Sequence, residues 1–90
     1  MKVVDFRNTE FGLLVKHSQH WITECNYKPD AHKIGMVTGV DFYKDATGRI
    51  ICWPIIQWEG SPRGFSCHPS NVIPWRKRQL QKANWIEITL

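Results

Sequence analysis

Cysteine is scarce in this chain and does not pair by pattern: Cys25, Cys52 and Cys67 are odd in number and form no CxxC motif. A secreted domain stapled by disulfides normally carries an even count, so reduced thiols in a cytosolic setting are expected. Long apolar runs are missing too. The longest, residues 50–56, falls far short of the ~20 residues that cross a bilayer. No apolar stretch follows Met1 before Arg7 and Glu10, so a signal peptide is not expected and the chain should be soluble. There is no glycine-rich phosphate loop and no pair of carboxylates placed for acid–base work. His17 and His20 stand at i, i+3 and Cys67 adjoins His68, but zinc sites need two ligand pairs at short fixed spacing, and Cys25, His32 and Cys52 are scattered. Adjacent strand residues point to opposite faces, so Cys67 and His68 do not make a nucleophile and its base. The expectation is a protein with no enzymatic activity, no metal and no cofactor.

What the chain does have is aromatic side chains: 12% of its 90 residues, five of them Trp. Ninety residues make one domain with one modest core, and each buried aromatic removes a large area from water. The net charge of +4 is unevenly placed. Residues 1–35 hold five Lys/Arg against four Asp/Glu, residues 36–75 three against three, and residues 76–90 four against one. A neutral body with a basic tail argues against a body built as a nucleic-acid platform.

Taken in order, residues 1–11 read as an N-terminal arm with a short strand near Val3 to Phe6. Residues 12–17 (GLLVKH) read as a first strand. Residues 18–33 form a long polar loop carrying Trp21, Ile22 and Tyr27, with a turn at Lys28-Pro29-Asp30; Trp21 is either a binding side chain or a satellite of the core. Residues 34–43 make a second strand in which Gly35 and Gly39 suggest a bulge or sharp coil. Residues 44–48 turn the chain into the central strand, extended from Arg49 to Trp58. That strand is apolar on both parities, with Ile51, Trp53 and Ile55 on one and Ile50, Cys52 and Ile56 on the other. A one-sided sheet needs only one apolar face, so the second must be covered by the chain's own ends or by another protein. Residues 59–64 (EGSPRG) close a hairpin, residues 65–68 pair back, and Pro69-Ser70-Asn71 makes a tight turn into a fifth strand. The expected core is Val37, Val40, Ile51, Trp53, Phe65 and Val72. Residues 76–83 (RKRQLQKA) are good helix formers, and residues 85–90 (WIEITL) alternate as a strand.

The fold class expected is mainly β: a small five-stranded barrel over residues 12–75, with an N-terminal arm at 1–11 and a basic linker and apolar strand at 76–90. The order of strand, long loop, KIGMVTGV (33–40), turn, long hairpin and HPSNVI (68–73) resembles SH3-like β-barrels. It is similar especially to short barrel proteins of tailed bacteriophages, many with cyanobacterial hosts. The resemblance covers residues 12–75. It implies a virion or host-cytoplasm setting and a structural or accessory protein that binds other subunits, including copies of itself. The candidate protein-binding residues are Trp58, Trp85, Ile86, Ile88 and Leu90, with the C-terminal strand expected to pair with a neighbouring molecule. The alternative is nucleic-acid binding through Arg76, Lys77, Arg78 and Lys82, with Trp58 or Trp75 as stacking surfaces. A further alternative, inhibition of a host protein, fits the same features.

Overall fold

The computed structural model describes residues 1–8, 12–24 and 32–88. Among the described residues seven strands are formed: β1 Lys2–Val4, β2 Leu14–His17, β3 Ile34–Lys44, β4 Ile50–Trp58, β5 Phe65–Ser66, β6 Val72–Pro74 and β7 Trp85–Glu87. Five of them make one antiparallel sheet in the order β5-β4-β3-β2-β6, while β1 and β7 form a separate two-stranded ribbon. An α-helix, α1, spans Lys77–Lys82. The mainly β character expected from the sequence is therefore present.

The long β3–β4 hairpin dominates the sheet. Its register runs from Gly35 opposite Trp58 to Lys44 opposite Ile50 and slips between Val37 and Gly39. The bulge thus falls at Thr38 and Gly39, as a strand glycine suggests. At the far end of the hairpin, Asp45 organises the turn: one carboxylate oxygen accepts from the amides of Thr47 and Arg49, both at 2.9 Å, and from Thr47 Oγ1 at 2.6 Å. Gly48 then takes φ +84°, a left-handed angle that costs a glycine little.

Alternation along the strands divides the sheet into two faces. Val15 pairs with Gly35 and Pro74, and Val37 with Ile56, and all five are buried. This inner face meets Val4, Phe6, Cys52 and Val72 in the main core. A second cluster joins Val3, Ile51 and Ile88, with Trp53 and Ile86 packed against it. The second apolar parity of β4 is thus covered by the chain's own two ends, one of the two coverings the sequence leaves open.

Several expectations are corrected. The sheet does not close into a barrel: β5 and β6 stand at its two edges. β5 is only two residues long, and the 3₁₀ turn Pro69–Asn71 follows it almost at once. Proline at 69 and 74 also removes amide donors from that region. The N-terminal strand is Lys2–Val4, and Phe6–Asn8 forms a 3₁₀ turn that drives Phe6 into the core with no exposure. Phe65, expected inside, is 49% exposed. It sits on the short edge strand, with the Arg63 guanidinium 4.9 Å above its ring.

Within the chain, the C-terminal strand pairs with the N-terminal one. Lys2 faces Glu87, Val3 faces Ile86 and Val4 faces Trp85. The Met1 ammonium completes the ribbon by donating to Glu87 Oε1 at 2.5 Å and to the Ile88 carbonyl at 2.9 Å. A strand with apolar residues at 86 and 88 gains most from the nearest matching edge, and β1 supplies it. Leu90, the Lys28-Pro29-Asp30 turn, Tyr27 and Cys25 lie outside the described residues, as does the side chain of Lys82.

Candidate binding surfaces

At one end of the sheet the inner face opens to the surface. His17 ends β2 and Trp58 ends β4, both on the inner side of their strands. Their rings stack with centroids 3.9 Å apart and planes 12° from parallel. Two recesses flank the pair. One, of about 210 Å³, is bounded by Lys33, Glu59, Gly60, Ser61 and Phe65. The other, of about 140 Å³, is bounded by Trp21, Cys67, Asn71 and Val72. Pockets for whole small ligands usually run to roughly 300–1,000 Å³. Each recess here is sized for a single inserted side chain.

The loop after β2 is fastened to this end by a short relay. A single π-type turn spans His20–Glu24. Ser18 N donates to the Asn71 carbonyl at 2.8 Å, Ser18 Oγ donates to the Ser70 carbonyl at 2.5 Å, and the Trp21 amide donates back to Ser18 Oγ at 3.1 Å. Trp21, half-buried, is thereby placed at the cleft wall. The 3₁₀ turn on the other side is capped by His68. His68 Nδ1 accepts from the Ser70 amide at 3.1 Å and lies 2.6 Å from Ser70 Oγ. Burial, and then the neighbouring His20, hold the His68 imidazole below its ordinary pKa.

Cys67 lines the same cleft as His17, yet burial pushes its thiol up to about 12. A nucleophilic cysteine needs the opposite shift. His68 turns away from that cleft and meets Trp53 edge-on, with centroids 5.3 Å apart. Cys52 and Cys67 are both free thiols. Among the described residues, no three His, Cys, Asp or Glu side chains converge as a metal site would require.

The remaining sequence candidates fall in two other places. Trp85 stands 40% exposed on the terminal ribbon, Ile86 is half-buried and Ile88 is buried at 3%, so Ile88 belongs to the chain's own core. Arg76, Lys77 and Arg78 are all exposed where α1 begins, and the Arg76 guanidinium lies 5.3 Å from the ring of Trp75. A wider recess of about 430 Å³ opens between the ribbon and the hairpin end, bounded by Asp5, Arg7, Arg49, Ile50, Cys52 and Ile86. The structure therefore brings Trp58 together with His17, Trp21 and Cys67, while Trp85, Ile86 and Ile88 lie on the terminal ribbon. His17 was legible as a strand-end histidine at i, i+3 from His20, and not as a stacking partner of Trp58. Its stacking depends on the cross-sheet register, which strand periodicity does not specify.

Comparison with known proteins gives no match among protein-family models, curated proteins or solved structures.

Proposed function

We propose that this chain is a non-enzymatic interaction module with an SH3-like architecture, a structural or accessory protein of a tailed bacteriophage that binds other protein subunits. The sheet order β5-β4-β3-β2-β6, with a 3₁₀ turn leading into its last strand, supports the SH3-like reading. So does the fit of the HPSNVI segment to that turn. The working surroundings are the virion or the host cytoplasm.

The observation that carries the binding role is the apolar surface left on so small a body. Met36, Phe42, Tyr43, Ile50, Phe65, Trp75 and Trp85 are each at least 38% exposed. Scattered apolar residues are normal on a surface, but aromatic and Met enrichment is a mark of protein interfaces. The test is whether the tagged chain co-sediments with assembled particles and at what stoichiometry. Recovery with particles supports the reading; a chain that sediments alone as a monomer removes it.

A second reading, nucleic-acid binding, is favoured by one observation: Arg76, Lys77 and Arg78 are exposed in succession beside exposed Trp75. Nuclease-sensitive complexes in the same sedimentation would select it.

A further inference from the structure

The outer face of the five-stranded sheet is apolar in one half and open. Because Val15, Gly35 and Pro74 point inward, their neighbours point outward. Register then places Leu14 beside Met36, and Lys16 between Ile34 and Ile73. Trp75, whose amide donates to the Leu14 carbonyl at 2.9 Å, stands at the end of the same row. The other half of the outer face, at Ile51 and Trp53, is covered by the ribbon of the two chain ends. Here the side chains remain accessible, Met36 at 41% and Trp75 at 38%, with Lys16 exposed in their midst.

Charge decides what fits this surface. β2, β6 and residues 34–36 hold one cation, Lys16, and no Asp or Glu. Arg76 adds a second cation over Trp75. Among the described residues, Glu59 is a carboxylate at the border of the patch, and its Oε1 accepts from the Ile34 amide at 2.7 Å. We propose that this face docks a segment of another protein that presents a carboxylate among apolar side chains, the carboxylate meeting Lys16 and the apolar groups covering Leu14, Ile34, Met36, Ile73 and Trp75.

A second copy of the chain fits poorly. A two-fold contact centred here would bury Lys16 against Lys16 or against apolar surface, and an unpaired buried ammonium is strongly disfavoured. Nucleic acid fits poorly as well, because four of the six side chains are aliphatic or Met and offer neither a stacking plane nor a donor. The inference names the surface and the partner chemistry for the module proposed above, and it rests on that reading.

The experiment uses the full chain and a displayed library of random 12-residue peptides as probe, with affinities of enriched peptides measured by fluorescence anisotropy. Enrichment of peptides carrying Asp or Glu between apolar residues is expected. Lys16→Glu should weaken them at least tenfold and, in its own selection, enrich Lys or Arg at the same place. Met36→Asp should also weaken the original peptides tenfold. Lys16→Ala serves as a milder second variant, and thermal melts verify that each variant folds. The proposal is overturned if no peptide is enriched, or if enriched peptides bind Lys16→Glu and Met36→Asp unchanged. It is overturned too if a 20-nucleotide single strand outcompetes the peptides, or if the face mediates self-association that Met36→Asp abolishes. Particles that retain both variants as well as wild type would remove this surface while leaving the module reading intact.

Discussion

Gly35 is where a single hydrogen atom decides the packing. Its strand partner Trp58 lies across it, and a Cβ built at Gly35 would stand 2.8 Å from Trp58 Cε3 while running into Ile56 Cγ2. Neither neighbour yields easily, since Ile56 is fully buried and Trp58 is stacked on His17. Gly35→Ala should therefore destabilise by about 1–3 kcal/mol, the usual penalty for overpacking. Trp58 would be displaced with it, so urea unfolding followed by tryptophan fluorescence reads both effects. At the same scale, His68 gives a pH signature. Its folded pKa lies below the ordinary 6.5, so the unfolded chain binds the proton more tightly than the folded one. This contribution to stability is complete above 6.5 and is lost as pH falls below it toward the lowered folded value. A urea midpoint that stays level above that pH and declines beneath it is expected, and His68→Asn, which retains a side-chain acceptor for the Ser70 amide, should flatten the decline. The thiols supply a third check. Burial raises the pKa of both Cys52 and Cys67. In a Cys25→Ser background both should alkylate slowly in the native chain and quickly once it is unfolded.

Among the elements, the terminal ribbon has the largest consequence. Ile88 is buried with Val3 and Ile51, and β7 supplies the only strand partner of β1 among the described residues. Removing residues 85–90 should expose that cluster and release β1, whose Val4 and neighbouring Phe6 belong to the main core. A lowered melting temperature is the expected outcome, and Ile88→Ala alone should cost about 2–5 kcal/mol by the usual cavity penalty. A truncated chain that melts like the intact one would show that the ribbon contributes nothing to the fold.

The same elements show what was legible in the sequence. Local signals read well: the hairpin turn at residues 59–64, the glycine-marked bulge, the helix formers of α1, and the β-branched run of β4. Each rests on residues close in sequence. The pairing of β1 with β7 joins Lys2 to Glu87, and no local pattern announces so distant a contact. Val15 and Ile56 were missed as the centre of the core because only the sheet register puts them there, and Phe6 because a 3₁₀ turn, not a strand, carries it inward. Phe65 was misplaced for the converse reason: an edge strand of two residues has no neighbour to cover it. Of the cleft, Trp58 was foreseen as a surface aromatic, while His17 and Trp21 are joined to it only by tertiary structure.

Over the whole molecule, the question is whether charge or apolar contact dominates binding. The net charge of +4 comes mostly from residues 76–90, where four cations face one carboxylate. Arg76, Lys77 and Arg78 are solvent-exposed. Exposed cations contribute about 0–1 kcal/mol to any one ion pair and are screened within ~8 Å at physiological salt. The apolar outer face is worth more, since each large side chain taken from water contributes about 1.5–3 kcal/mol. Replacing all three tail cations by Ala should therefore leave association with a protein partner within about tenfold of wild type and nearly independent of salt. Nucleic-acid binding would behave otherwise. Its affinity would fall steeply with salt, with a log–log slope near −0.7 for each phosphate neutralised on a single strand, and the triple substitution would remove up to about three such contacts. Measuring binding of the wild type and the triple variant from about 50 to 200 mM salt separates the two. A shallow slope that the substitutions do not change assigns the interaction to the apolar faces; a steep slope that they flatten assigns it to the tail.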